Sequence, residues 1–209
     1  MRQKGLFIFR IFATLISLFG MGYRLIYIPF SDGGLSQFIN MLGYFTIQSG
    51  MLVLFVFVSL LVEQLRGIPG EIISANFRGG ALLYIVITSA IYLIMLDPVM
   101  EETGLSRFVL YINHLGTALL LLADHLISVK PGIYKWSVIP KWLIYPFAYL
   151  FFSLAEGLFF CRFRYYFLNF RELGTVPYLL FLLMLIAVFS GVGALIVLIN
   201  KLRGRNTRS

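Results

Sequence analysis

The chain has 209 residues, of which 60% are hydrophobic and only 12% are charged. Soluble domains carry about 25% charged residues, so this composition excludes an ordinary soluble domain and predicts an integral membrane protein. The net charge of +8 fits cytoplasmic loops and attraction to anionic lipid, and does not indicate a nucleic-acid groove.

Six apolar segments fill most of the sequence. A helix needs about 20 residues to cross a hydrocarbon core roughly 30 Å thick. The connections between the segments are too short to form a soluble domain. We therefore predict an all-α fold, a single domain over residues 1–209, with six transmembrane helices near Gly5–Ile28, Phe38–Val62, Gly79–Leu96, Phe108–Val129, Ile139–Cys161 and Val176–Asn200.

The distribution of lysine and arginine predicts the orientation, because cytoplasmic ends are enriched in them. With the N-terminus inside, twelve basic residues lie on the cytoplasmic side and five on the other. The twelve are Arg2, Lys4, Arg10, Arg66, Arg78, Lys130, Lys135, Lys141, Lys201, Arg203, Arg205 and Arg208; the five are Arg24, Arg107, Arg162, Arg164 and Arg171. Both termini are therefore expected in the cytoplasm.

Polar residues inside the segments are the best guide to function, because each is costly to bury in hydrocarbon. Thr46 lies eight residues after Phe38, and His114 lies six residues after Phe108. Both segments run inward, so the two side chains are expected at similar depth in the outer half of the membrane. The same outer layer is expected to include Arg24, Gln48, Ser49, Asn113, Tyr149 and Glu156.

Each of these residues also has a structural explanation. A membrane threonine such as Thr46 commonly bonds a carbonyl of its own helix, and His114 can simply bridge two helices. Glu156 and Arg24 can form an ordinary ion pair. Asp124, next to His125 in an inner half with few other polar groups, marks a helix end or orients a partner.

Metal and haem sites are not expected. Haem held between helices needs axial ligands on both faces, but both histidines lie in the fourth segment, eleven residues apart. A catalytic zinc needs about three protein ligands, and His114, Asp124 and His125 span too much of one helix to converge. Cys161 is the single cysteine and cannot form an intrachain disulfide.

Three blocks of residues form a recognisable pattern along the chain. The first two blocks are Gly43 to Gly50, which contains Thr46, and Asn113-His114 followed by a leucine-rich stretch to Asp124. The third comprises Pro140-Lys141-Trp142, Tyr145 to Tyr149, Glu156-Gly157, Tyr165 to Asn169 and Leu173-Gly174. Over roughly residues 40–175 these blocks resemble the androgen-induced protein family and its bacterial six-helix relatives. Gly50 stands where asparagine is usual in that family, Asn169 where aspartate is usual, and Arg164 and Tyr166 where loop prolines are usual.

The resemblance implies an intramembrane hydrolase of fatty acid esters of hydroxy fatty acids. It assigns the nucleophile to Thr46 and the histidine of the reaction to His114. A threonine hydroxyl is a weak nucleophile until a neighbouring base removes its proton, and a neutral histidine can do this. Gln48, Ser49 or Asn113 would stabilise the oxyanion. The bacterial relatives imply the plasma membrane of a bacterium, with membrane lipid and a lipid ester as partners.

Two other functions fit the same polar layer. In a small transporter or lipid-binding protein, Arg24, His114 and Glu156 would line a path for a solute or proton. In a scaffold without catalysis, the layer would only hold the helices together. Equal depth does not fix the rotation of a helix about its axis, so the sequence leaves the contact between Thr46 and His114 open.

Overall fold

The computed structural model describes residues 2–206, so Arg208, one of the twelve basic residues counted above, lies outside the described residues. The described residues form helices and connecting turns without a strand. Six helices are long and apolar enough to cross a membrane, which indicates a multi-pass membrane protein. They are α1 (Gln3–Ser31), α2 (Phe45–Arg66), α3 (Ala75–Val99), α4 (Gly104–Ser128), α5 (Val138–Phe160) and α6 (Thr175–Arg205).

The all-α class and the six helices are confirmed, but the predicted start of the second helix is wrong. A separate helix, Gly34–Leu42, precedes α2. Gly43 N donates to the Asn40 carbonyl, and Tyr44 is extended with φ −84° and ψ 131°. The chain is apolar on both sides of this break, so hydropathy alone cannot detect it.

Two compact units divide the chain, Met1–Lys130 and Pro131–Ser209. We call them unit 1, which holds α1 to α4, and unit 2, which holds α5 and α6. The single domain expected from the sequence stays a prediction.

Unit 1 is a bundle in which each helix contacts its neighbours along the chain, and α1 also contacts α4. Val53, Val56 and Phe57 of α2 are fully buried in its centre, as is Leu83 of α3. Apolar side chains also cover outward faces; Ile8, Phe12 and Leu15 on α1, for example, are more than half exposed. Such faces at helical spacing are expected where helices meet lipid rather than water.

Unit 1 has two ends, which we call the Asp97 end and the Gly67 end. At the Asp97 end, α1 and α3 finish while α2 and α4 begin; at the Gly67 end, α2 finishes and α3 begins. The halves of α1, α3 and α4 nearer the Asp97 end each contain a π-helical turn: Tyr23–Tyr27, Tyr92–Leu96 and Ile112–Gly116. A π turn inserts one extra residue into a helix and re-aims the side chains around it, often at functional sites.

In unit 2, α5 ends at Phe160, and the next residue, Cys161, has a φ of 51° in the left-handed region. A short connection leads to α6, and the segment before α5 docks on the far end of α6, where Gly132 N donates to the Asn200 carbonyl at 2.8 Å. A Cβ atom on Gly204 would lie 2.9 Å from Gly132 Cα, so a side chain at this position would push the two backbones apart.

Candidate functional site

The π-helical turn of α4 places two buried polar side chains in the bundle. Asn113 is 8% exposed and His114 is 6% exposed. The Ser89 hydroxyl donates to the His114 carbonyl, and the Tyr92 ring stacks on the imidazole with centroids 4.1 Å apart and planes 8° apart. Nδ1 of His114 is buried and has no hydrogen-bond partner among residues 2–206. A buried nitrogen left unpaired is costly and is often explained by function.

Ser49 joins α2 to α3 beside this turn. Its Oγ lies 3.0 Å from Thr88 Oγ1 and donates to the Thr46 carbonyl at 3.1 Å. Ser49 and Thr88 are buried, and α2 also contacts the π turn of α4 directly. The Ser49–Thr88 hydrogen bond therefore fixes how α2 and α3 face each other near His114.

Asn113 joins α4 to α1. Its Nδ2 donates to the Gly20 carbonyl at 3.0 Å. A Cβ atom at residue 20 would collide with the Asn113 amide, so only glycine allows the two helices this approach. Like Nδ1 of His114, Oδ1 of Asn113 is buried without a hydrogen-bond partner in the described part of the chain.

Thr46 lies in the first turn of α2 and is half-buried. The residue count behind the predicted shared depth with His114 used a helix start at Phe38 instead of Phe45, and the shared depth itself stays a prediction. Ser49 follows Thr46 by three positions, so both lie on one face of α2. The nearby Gln48 side chain donates to the Leu42 carbonyl at 2.9 Å and bridges the break before α2.

Asp124 belongs to a different cluster, near the Gly67 end. Ten residues of helix, about 15 Å, separate it from His114. Its fully buried carboxylate accepts hydrogen bonds from Arg10 at 2.9 Å and from Arg78 at 2.5 Å. Arg10 also donates to Gln64 at 3.0 Å. The sequence predicted few polar groups besides Asp124 and His125 in the half of the bundle nearer this end. That prediction is wrong, because Arg10, Gln64 and Arg78 also lie there.

The remaining predicted residues, Arg24, Glu156 and Tyr149, have partners of their own. Arg24, in the π turn of α1, forms an ion pair with Glu102 at 3.5 Å. In unit 2, Glu156 accepts hydrogen bonds from Arg164 at 2.5 and 2.6 Å, and Tyr149 is buried against Phe152. The ion partners seen for Arg24 and Glu156 thus differ from the pair that the sequence suggested.

Three residues of α3 that contact His114 or Ser49 were not predicted from the sequence: Thr88, Ser89 and Tyr92. Serine and threonine inside membrane helices usually bond their own helix, and Ser89 also does this with the Ile85 carbonyl. Their spacing could have identified them as a group, because Thr88 and Ser89 share a helix face with Tyr92 one turn later.

No group of three His, Cys, Asp or Glu side chains converges within residues 2–206 in a way that could hold a metal ion. The His114 cluster consists of the His114 imidazole, the hydroxyls of Ser49, Thr88 and Ser89, and the Asn113 amide, in an apolar bundle. Such groups can transfer protons and donate hydrogen bonds. The absence of a cofactor stays a prediction.

No protein-family model, curated protein or solved structure matches this chain. The resemblance to the androgen-induced protein family therefore depends only on the residue blocks described above.

Proposed function

We propose that this protein is an intramembrane lipid-ester hydrolase in which Thr46 is the nucleophile and His114 is the general base. The main support is one observation: His114 is buried with an unpartnered Nδ1 on the π turn that α2, the helix of Thr46, contacts directly. Fatty acid esters of hydroxy fatty acids are the substrate class that the family resemblance favours.

Helix geometry supports a position of Thr46 near His114. Starting from the Ser49–Thr88 hydrogen bond, Thr46 lies three residues toward the Asp97 end on α2, about 4.5 Å. Tyr92, which stacks on His114, lies four residues toward the same end on α3, about 6 Å. Thr46 shares a face of α2 with Ser49, and Tyr92 shares a face of α3 with Thr88.

The proposed reaction conserves atoms and protons. The Thr46 hydroxyl adds to the ester carbonyl and gives its proton to the His114 imidazole. The tetrahedral intermediate then collapses, and the leaving alcohol takes that proton from the imidazolium. Water, deprotonated by His114, attacks the acyl-threonine, which releases the fatty acid and restores both residues.

Ser49, Gln48 and Asn113 are the donors expected from the sequence to stabilise the oxyanion. Ser49 lies one turn from Thr46 on the same face of α2 and is held beside Thr88 Oγ1. Its single hydroxyl proton is donated to the Thr46 carbonyl and would turn from that carbonyl to the oxyanion. The amides of Gln48 and Asn113 donate to the carbonyls of Leu42 and Gly20.

We further propose that both termini lie in the cytoplasm and that the membrane is a bacterial plasma membrane. The twelve-to-five distribution of basic residues supports this orientation. The Asp97 end of unit 1 then faces outward, and the site lies in the outer half of the membrane. An apolar ester can enter sideways from the outer leaflet without crossing water.

Covalent labelling tests the nucleophile and the base. The purified protein should react with a fluorophosphonate probe and hydrolyse a long-chain lipid ester. Thr46→Ala should abolish both activities, while His114→Ala should slow them about 1,000-fold, the usual contribution of a general base. Thr46→Ser keeps a hydroxyl at the position and should retain labelling.

Thr14→Ala is the matched control, because Thr14 is a membrane threonine that bonds its own helix through the Arg10 carbonyl at 2.7 Å. This variant should label like the wild type, and thermal melts should show that all variants are folded. If Thr46→Ala still labels, Thr46 is not the nucleophile. If the wild type neither labels nor hydrolyses the ester, transport or lipid binding becomes the better explanation of the polar cluster.

A further inference from the structure

We propose that Tyr92 is the positioning residue of His114, and that Asp97, Arg107 and Tyr111 hold Tyr92 in place. This inference rests on the proposed function and adds a group of residues, all in unit 1, that act on the reaction through His114.

The contact between the two rings is close and nearly parallel. Their centroids are 4.1 Å apart and their planes differ by 8°. Tyr92 is completely buried and His114 is 6% exposed. The imidazole therefore has one face covered by a flat aromatic surface, which restricts its rotation about the Cβ–Cγ bond.

Hydrogen bonds at the Asp97 end fix Tyr92 in turn. The Tyr92 hydroxyl donates to Asp97 Oδ1 at 3.1 Å. The same carboxylate accepts from the Tyr111 hydroxyl at 3.0 and 3.1 Å and from Arg107 at 3.0 Å. The ring of Tyr111 also meets that of Tyr92 edge to face, with centroids 5.9 Å apart. Both the hydroxyl and the ring of Tyr92 are thus held.

The π turn explains why Tyr92 and Asp97 meet. Asp97 N donates to the Tyr92 carbonyl across this turn. In an α-helix, residues five apart point in directions about 140° apart, whereas the wider π turn brings them toward one face. The extra residue in α3 therefore lets Asp97 hold the hydroxyl of the tyrosine that covers His114.

A general base works only when its nitrogen is held in line with the proton that it removes. A displacement of about 1 Å can cost about 100-fold in rate. Tyr92 touches His114 rather than the reacting atoms, so its loss should lower kcat and leave KM for the ester nearly unchanged.

Two substitutions separate the ring from the hydroxyl. Tyr92→Leu removes the flat surface and should lower kcat for a long-chain ester about 100-fold. Tyr92→Phe keeps the ring but loses the hydrogen bond to Asp97, so its kcat should lie between those of Tyr92→Leu and the wild type. Tyr134→Leu, which replaces another fully buried tyrosine, in unit 2, should leave kcat unchanged. Equal kcat values for folded Tyr92→Leu and wild type would overturn the inference.

Histidine NMR gives a readout that does not require activity. The chain has two histidines, so labelled imidazoles give two sets of signals, and His125→Gln assigns them. The Tyr92 ring current should shift the His114 signal upfield in the wild type and in Tyr92→Phe, and the shift should disappear in Tyr92→Leu. An unchanged His114 signal in Tyr92→Leu would contradict the stack.

The two readouts also separate this inference from the proposed function. If the wild type is active and Tyr92→Leu matches it, only the positioning role fails. If the wild type is inactive, the proposed function fails and the catalytic role of Tyr92 fails with it, whatever the NMR shift shows about the stack.

Discussion

Individual buried charges determine much of how unit 1 is held together. Asp124 has no solvent exposure, and its carboxylate is bonded to Arg10 from α1 and to Arg78 from α3. Ser128, one turn later on α4, donates to the same carboxylate at 2.9 Å. A charge buried in an apolar bundle is tolerated only when it is paired in this way. One carboxylate thus connects three helices.

Removing that carboxylate should be strongly destabilising. Asp124→Ala would leave the Arg10 and Arg78 guanidinium groups buried without their counter-charge. The expected loss is about 3–5 kcal/mol of unfolding free energy, as for other broken buried ion pairs. Denaturant unfolding in detergent micelles measures this loss.

Glu71→Ala serves as the control, because Glu71 is an exposed carboxylate in the loop between α2 and α3, and its loss should change stability by less than about 0.5 kcal/mol. Replacing all three charged residues with apolar ones, by Arg10→Met, Arg78→Met and Asp124→Leu, should recover most of the stability lost in Asp124→Ala. Equal stability of Asp124→Ala and the control would show that the cluster contributes nothing.

At the scale of elements, the loop at the Gly67 end depends on one side chain of α2. Glu63 is 4% exposed, and its two carboxylate oxygens accept backbone N–H groups of Gly70, Ile72 and Ile73 at 3.0, 2.8 and 2.7 Å. Gly67 ends α2 with φ 68°, in the left-handed region that favours glycine. Glu63 and Gly67 together turn the chain from α2 into α3.

Glu63→Gln should loosen this loop. A glutamine offers one acceptor oxygen, and its NH₂ group would face backbone donors, so at least one partly buried N–H, that of Gly70, loses its acceptor; a fully buried N–H would lose about 1–3 kcal/mol, and this one should lose less. We expect faster trypsin cleavage after the exposed Arg66, followed by mass spectrometry of the fragments. Glu71→Gln is the matched control, and equal cleavage rates in the two variants would contradict the role of Glu63.

Other features at this scale arise from interruptions of the helices. The π turns of α3 and α4 bring Tyr92 and His114 together, and the break at Gly43 and Tyr44 puts Thr46 in the first turn of α2. Neither feature changes the hydropathy of the chain. Periodicity therefore predicts that helices exist here but not where their registers shift.

At the scale of the whole molecule, the proposed orientation can be tested with the native cysteine. Cys161 is exposed at the end of α5 and is the single cysteine of the sequence. With both termini in the cytoplasm, α5 ends on the outer side. A membrane-impermeant maleimide should therefore label the wild-type protein in intact cells.

The control carries Cys161→Ser together with Glu71→Cys, which moves the thiol to the exposed loop between α2 and α3. This variant should react only after the cells are permeabilised. The opposite pattern, with Glu71→Cys labelled in intact cells and Cys161 protected, would invert the proposed topology.

The sequence by itself determined the class of protein and the number of helices. A bilayer of fixed thickness requires apolar runs of a certain length, and run length is a local property that can be read along the chain. His114, Asn113 and Ser49 were also identifiable, because a polar residue inside such a run is unusual wherever it points.

Only the tertiary structure decided which of these residues meet. The rotation of each helix about its axis, the π turns and the start of α2 depend on packing between segments far apart in sequence. This is why Arg10 and Arg78, counted in the sequence as cytoplasmic charges, are the partners of Asp124. It is also why Tyr92, one of 12 tyrosines, is distinguished from the others only by the histidine on which it stacks.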